Sequence, residues 1–221
     1  MGTILKIIYA SFISGLILSA CAKKEEFNNN DQHVGKNSRI IYFPSVTIKG
    51  DRLIILDVGA SFTEPGVTAL LNNEPVTFTT TGSVNTASPG VYVLEYAAEN
   101  QEGYTASDWR TVVVIGNDVA ANDFSGTYNR AVTNVNSTWT KTANGVYTVE
   151  NPGGAGVGAG LEVIAVNYQG NKIKIPRQIS PDFGEVSSGN ETYTPTPPPA
   201  KYSWSFFAGG YGTQLRTFIK Q

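Results

Sequence analysis

Along residues 91–98 the side chains alternate. Tyr92, Leu94, Tyr96 and Ala98 fall on one side of an extended backbone, with Val91, Val93, Glu95 and Ala97 on the other. A period of two marks a half-buried strand, and Pro89-Gly90 supplies the turn that launches it. Similar runs recur through the first half. Arg39-Ile40-Ile41-Tyr42-Phe43 stops at Pro44, Leu53-Ile54-Ile55-Leu56 stops near Gly59, and Pro75 opens Val76-Thr77-Phe78-Thr79. Arg110-Thr111-Val112-Val113-Val114-Ile115 is rich in β-branched residues and reads as the last strand of this half. No stretch has a helical period, so residues 38–116 predict an antiparallel sandwich of short strands.

Asn117-Asp118-Val119-Ala120-Ala121-Asn122 reads as a short hinge, and a new series begins at Phe124-Ser125-Gly126-Thr127-Tyr128-Asn129-Arg130. Further strands are predicted around Trp139 and over residues 146–149, 161–168, 172–175, 202–207 and 214–219. Asn144-Gly145 has the chemistry of a two-residue hairpin turn. Gln169-Gly170-Asn171 makes a second hairpin, pairing residues 161–168 with 172–175. Residues 117–221 therefore read as a second antiparallel β domain, for which a sandwich and a small open barrel both fit. The glycine-rich stretch Asn151-Pro152-Gly153-Gly154-Ala155-Gly156-Val157-Gly158-Ala159-Gly160 is not followed by Gly-Lys-Ser/Thr. It leads into a β-branched run rather than a helix, so it reads as a turning loop and not a phosphate cradle. Tyr193-Thr194-Pro195-Thr196-Pro197-Pro198-Pro199 predicts an extended polyproline stretch on the surface.

Ahead of both halves, residues 4–18 form an apolar run beside Lys6, closed by small residues. This is the pattern of a secretory signal, and the run is short for a membrane span. Leu18-Ser19-Ala20-Cys21 resembles the lipobox of bacterial lipoproteins, an aliphatic residue and two small ones before Cys. The resemblance implies that residues 1–20 are a signal peptide and that Cys21 is acylated. Residues 21–37 are polar, with only Phe27 and Val34 as large apolar side chains, and read as a disordered tether. Lys24-Glu25-Glu26 resembles the surface-export signal of Bacteroidota lipoproteins. Together these resemblances imply a lipid-anchored protein of the outer membrane, exposed at the cell surface.

Composition narrows the partners. The chain has 221 residues, 41% hydrophobic and 15% charged, with a formal net charge of -2. Loss of Lys6 with the signal makes the mature chain more acidic still. No basic cluster exists, which argues against nucleic acid. Cys21 is the single cysteine, so the mature chain has no internal disulfide.

Gly59-Ala60-Ser61-Phe62-Thr63-Glu64-Pro65-Gly66-Val67-Thr68-Ala69 resembles a stretch of a bacterial Ig-like family also found as modules in crystal toxins. The Pro89-Gly90 turn, the Tyr92-x-Leu94-x-Tyr96 strand, Gly103 and the Arg110-x-Val112-x-Val114 strand follow in that family's order. The resemblance implies an Ig-like β-sandwich that serves as a spacer or binding module and has no shared catalytic site. Phe124-Ser125-Gly126-Thr127-Tyr128, Gly145-Val146-Tyr147-Thr148-Val149 and Ile179-Ser180-Pro181-Asp182-Phe183-Gly184 are similar to the C-terminal domain of two-domain Bacteroidota lipoproteins. That resemblance implies a polysaccharide-utilisation setting.

Chemistry is sparse. His33 is the single histidine and sits in the tether, so neither a nucleophilic triad nor a Cys/His zinc site can be assembled. EF-hand spacing is absent, although scattered acids remain available to a calcium ion. Glycosidase chemistry needs two facing carboxyls. Glu95, Glu99, Glu102, Asp108, Glu150, Glu162, Asp182 and Glu185 are available, but no spacing pairs them. The reading is non-catalytic, without cofactor or metal. Sugar rings stack on exposed aromatics, and Trp139, Tyr168, Tyr193 and Tyr211 are the candidate ligand-binding residues. Trp139 lies between Thr138 and Thr140 beside a turn and is expected exposed, whereas Trp204, alternating with serines, is expected buried. The expected function is glycan binding in polysaccharide capture or uptake. The expected partners are the membrane, a polysaccharide, and an outer-membrane transporter or surface protein. The alternative is a structural or adhesive surface protein whose Ig-like module is a spacer for protein–protein contact.

Overall fold

The computed structural model describes residues 39–156 and 161–221. The lipobox with Cys21, the Lys24-Glu25-Glu26 motif, His33 and the last part of the glycine-rich loop lie outside the described residues. The chain divides into Met1–Tyr42 and Phe43–Gln221, and every element below lies in the second unit. All but one of its elements are strands. The exception is a single 3-10 turn, Asn117–Val119. No helix among the described residues is long and apolar enough to cross a membrane.

The first module is an Ig-like sandwich of two small sheets. One orders β1 (Pro44–Ile48), β3 (Val67–Leu71) and β4 (Glu74–Pro75). The other orders β2 (Leu53–Asp57), β7 (Thr105–Ile115), β6 (Gly90–Glu99) and β5 (Thr79–Thr81). Between them Val67, Leu94 and Tyr96 are buried, with Val46, Ile48, Phe62 and Val84 packed against them. The alternation read along residues 91–98 thus faces the core as expected. Most pairs are antiparallel, but β2 runs parallel to β7, Leu53 opposite Thr111.

Two expected strands are displaced. Residues 40–43 are outside any strand, and β1 begins at Pro44 rather than ending there. Proline lacks an N–H to donate but is accommodated at the first position of an edge strand, which β1 is. Residues 76–78 form no strand either, because the chain crosses there from β4 in one sheet to β5 in the other.

The second module resolves the choice left open between sandwich and barrel. Its strands are β8 (Gly126–Arg130), β9 (Val135–Ala143), β10 (Val146–Glu150), β11 (Glu162–Gln169), β12 (Lys172–Lys174), β13 (Gln178–Ser180), β14 (Gly184–Thr194), β15 (Lys201–Phe207) and β16 (Leu215–Lys220). They form one nine-stranded antiparallel sheet ordered β12-β11-β10-β9-β8-β16-β15-β14-β13. The sheet curls until its two sides meet. The Ser188 N–H donates to the Ile175 carbonyl at 3.1 Å, and the Ile175 N–H donates to Ser188 Oγ at 2.8 Å. Both expected hairpins are present, at Asn144-Gly145 and across residues 169–171. The proline stretch is not extended: Thr194 pairs with Lys201, so the chain must reverse between them.

The barrel is filled by rings. Phe124, Tyr128, Trp139, Tyr147, Tyr202, Trp204, Phe206 and Phe218 are buried in one cluster, and Trp139 stacks on Trp204 with centroids 5.4 Å apart. Large aromatic side chains projecting inward at alternate positions fill a small barrel without a lumen.

The two modules share a buried apolar seam. Val113 and Ile115 of β7 meet Val119 and Val166, with Leu53, Ile55 and Tyr168 at its margin. Residues 117–122, read as a hinge, are packed: Val119 is fully buried. Asp118 accepts from the Gly170 N–H at 2.8 Å, and the Asn122 side-chain amide donates to Asn167 Oδ1 and the Gly170 carbonyl, each at 2.8 Å. Arg177 adds a polar clasp. Its guanidinium pairs with Glu185 and with Glu95 of β6, and lies 4.3 Å over the Trp109 ring. Arg52 also lies over that ring, at 4.7 Å, while pairing with Asp108. Burial raises the Asp108 carboxyl, but hydrogen bonds from Arg52 and from the Trp109 and Ile48 N–H groups outweigh it and hold the group below its ordinary range.

Candidate functional site

At the barrel end where β8, β10 and β15 finish and β14 and β16 start, a cleft of about 420 Å³ opens. Its walls are Arg130, Gly153, Ala155, Phe183, Gly209, Gly210, Tyr211 and Arg216. The size is that of small-ligand sites, about 300–1,000 Å³.

Each wall follows from local structure. Arg130 ends β8 and Arg216 lies near the start of β16. In each strand the arginine sits two residues from an inward ring, Tyr128 and Phe218 respectively, so strand parity turns both arginines toward the barrel interior. Tyr211 belongs to the loop between β15 and β16, and its ring meets Phe183 edge-on at 5.5 Å and Phe206 at 5.1 Å. Gly153 is needed beneath that ring: a Cβ there would lie 2.0 Å from Tyr211 Cε1. Gly153 therefore serves the cleft by its lack of a side chain.

The charges are unusual. Arg216 is 6% exposed. Its Nη1 donates to the Gln214 carbonyl at 3.1 Å and lies 3.5 Å from that of Phe206, and Nη2 donates to the Tyr211 carbonyl. Its Nε and the Tyr211 hydroxyl are buried without a partner. Arg130 Nη1 donates to the Gly154 carbonyl at 3.2 Å and lies 3.5 Å from that of Gly153. Neither arginine has a carboxylate partner among the described residues. Arg52 and Arg110 each have one and Arg177 has two. Burial, and then the positive charge of Arg130, lower the proton affinity of Arg216. The cleft is thus lined by two cations held by carbonyl dipoles, with aromatic walls.

Of the four residues expected to bind ligand, Tyr211 alone lines this cleft. Trp139 was expected exposed and is 2% exposed. Thr138 and Thr140 occupy the outer parity of β9, which sends Trp139 inward onto Tyr128, Tyr202 and Trp204. Tyr193 is half-buried, stacked on Phe124 at 3.9 Å. Tyr168 is half-buried against the seam between modules. Trp204 is buried as expected, its Nε1 donating to the Pro152 carbonyl at 2.8 Å. The strand-parity signal could have found Arg130 and Arg216, whereas Phe183 and Gly153 carry no signal short of the fold.

The scattered acids do not converge on the cleft. Asp108, Glu95 and Glu185 are engaged by arginines, and Glu99, Glu102, Glu150, Glu162 and Asp182 are exposed and form no part of the cleft lining. No group of three or more His, Cys, Asp or Glu among the described residues is placed to hold a metal ion.

Residues 46–114 match the family model described as bacterial surface protein, Ig-like domain. The first module is such a domain, as the Gly59–Ala69 and Pro89–Tyr96 motifs implied. The match ends before the second module. Among solved structures, a lipoprotein from Bacteroides thetaiotaomicron is similar, with 26% identity over 81% of this chain and 100% of that chain, at a TM-score of 0.36. No curated protein matches the chain significantly.

Proposed function

We propose that this is a lipid-anchored protein of the bacterial outer membrane, tethered through Cys21, whose second module binds glycan without cleaving it. The observation that carries this reading is the cleft itself. The Phe183 and Tyr211 rings wall a space of sugar-residue size, beside fixed hydrogen-bond donors. Sugar rings present apolar C–H faces to such walls, and their hydroxyls take the donors. The surface Ig-like domain fits a module that carries the binding barrel away from the membrane. The lipobox supplies the anchor, and the role is polysaccharide capture or uptake beside an outer-membrane transporter.

Two measurements test it. Labelled fatty acid is incorporated into the full chain in cells, and Cys21→Ala abolishes incorporation. Calorimetry of the folded protein against a polysaccharide panel gives saturable binding to at least one polymer, weakened by Tyr211→Ala. Silence across the panel from a folded sample would remove the glycan reading.

A second reading is adhesive. Phe43, 63% exposed, meets the exposed Tyr104 edge-on at 4.9 Å on the Ig-like module. Such a pair suits a protein contact. Phe43→Ser with Tyr104→Ser abolishes recovery of a surface partner on that reading, while leaving glycan binding unchanged.

A further inference from the structure

We infer that the cleft takes an acidic sugar, a uronic acid residue of a polysaccharide, with its carboxylate against Arg130 and Arg216 and its ring on Tyr211. This rests on the glycan reading above and names the class of sugar.

The inference starts from an imbalance of charge. A buried guanidinium is costly unless paired, and elsewhere this fold pays that cost with a carboxylate. Arg110, fully buried, has Glu64 at 3.0 Å. Arg52 has Asp108 and Arg177 has Glu185. Arg216, buried, breaks the rule, and the partly exposed Arg130 beside it likewise has no carboxylate partner among the described residues. Their donors are pinned on the carbonyls of Gly153, Gly154, Tyr211 and Gln214, so the two cations are held in position before any ligand arrives. Carbonyl dipoles orient a guanidinium but do not cancel its charge. The missing counter-charge must come from outside, and the opening beside both arginines is where it enters.

The ligand's chemistry follows. A planar carboxylate accepts two parallel N–H bonds from a guanidinium, a charge-assisted pairing about twice as strong as one between neutral groups. Tyr211 and Phe183 beside the cations give the same ligand an apolar face to stack on. A free inorganic anion would leave those rings unused. A hexuronate uses both. Non-specific attraction is not the source, because the chain carries a net charge of -2.

Calorimetry of the folded chain at physiological salt tests this with polygalacturonate, alginate and hyaluronan as uronate polymers. Carboxyl-reduced polygalacturonate, dextran and dextran sulfate are the comparison arms. The expected result is binding to at least one uronate polymer, about tenfold or more above the uncharged arms. Arg130→Gln lowers that affinity about tenfold, and Arg130→Lys restores part of it. Arg130 is half-exposed, and an unchanged melting temperature confirms that its variants fold. Equal binding of the reduced polymer, or binding to dextran alone, overturns the acidic-sugar assignment and leaves the glycan reading standing. Binding to dextran sulfate alone overturns the carboxylate. Uronate binding indifferent to Arg130→Gln overturns the cleft as its site. Silence from every arm and from the wider panel sinks both readings.

Discussion

At the residue scale, the molecule turns on where a side chain is forbidden as much as on where one is required. Gly153 lets the Tyr211 ring pack close against the backbone, and a methyl group there would stand 2.0 Å from a ring carbon. Gly153→Ala therefore displaces the ring or the loop. It should destabilise the protein by about 1–3 kcal/mol, as overpacking does, and weaken ligand affinity in step. Urea denaturation and calorimetry read the two effects. The arginines make the complementary point. Leu215-Arg216-Thr217-Phe218 and Tyr128-Asn129-Arg130 already place a cation on the parity of a core ring. An alternation pattern with a charge on its buried side is a readable anomaly. Trp139 shows the opposite error. Its threonine neighbours suggest an exposed site, yet in a strand the polarity of neighbours is evidence for burial, the logic that placed Trp204 correctly.

At the element scale, what was legible was alternation and turn chemistry. β6, β7, β10, β11, β15 and β16 all carry β-branched or aromatic runs between turn residues, and the sequence shows them. β14 does not, because Ser187, Ser188, Gly189 and Asn190 interrupt it. The register shifts between Gly189 and Thr192, and Asn190 sits at φ 56°. The strand exists because the barrel needs it: Ser188 joins it to Ile175, and no local propensity encodes that. Likewise Val76-Thr77-Phe78 has strand propensity but is used to cross between sheets. Removing the joining hydroxyl has a defined effect. Ser188→Ala leaves the buried Ile175 N–H without its 2.8 Å acceptor, at a cost of about 1–3 kcal/mol. Hydrogen exchange at the Ile175 amide should quicken in proportion while β8 and β9 keep their protection.

At the scale of the whole molecule, the seam between modules makes Phe43–Gln221 one unit. Val166 is fully buried there against Val113, Ile115 and Val119. Val166→Asp puts a carboxylate among them, and calorimetry should then show two thermal transitions where the parent shows one. Alkali probes both cores. Burial, then the Glu64 carboxylate, pushes the Tyr96 hydroxyl up to about 12. Burial above all raises Tyr128, Tyr147 and Tyr202 as well. The folded state therefore holds protons that the unfolded chain releases near pH 10. Stability conferred this way is complete below pH 10 and is lost as pH rises toward the folded values. The share of tyrosinate absorbance that belongs to these four rings should appear late and steeply, together with unfolding. A gradual rise near 10 that reaches the full amplitude of all eleven tyrosines would show these rings to be accessible.

The three tryptophans are distributed so that light can tell the modules apart. Trp139 and Trp204 are stacked at 5.4 Å inside the barrel, close enough for their excited states to couple. Trp109 lies apart in the sandwich, beneath Arg52 of its own module and Arg177 of the second. A bisignate exciton band thus belongs to the barrel alone, and the emission lost on Trp109→Phe belongs to the Ig-like domain. The chain carries its own two-colour gauge of which module a ligand, a solvent or a lipid surface has touched.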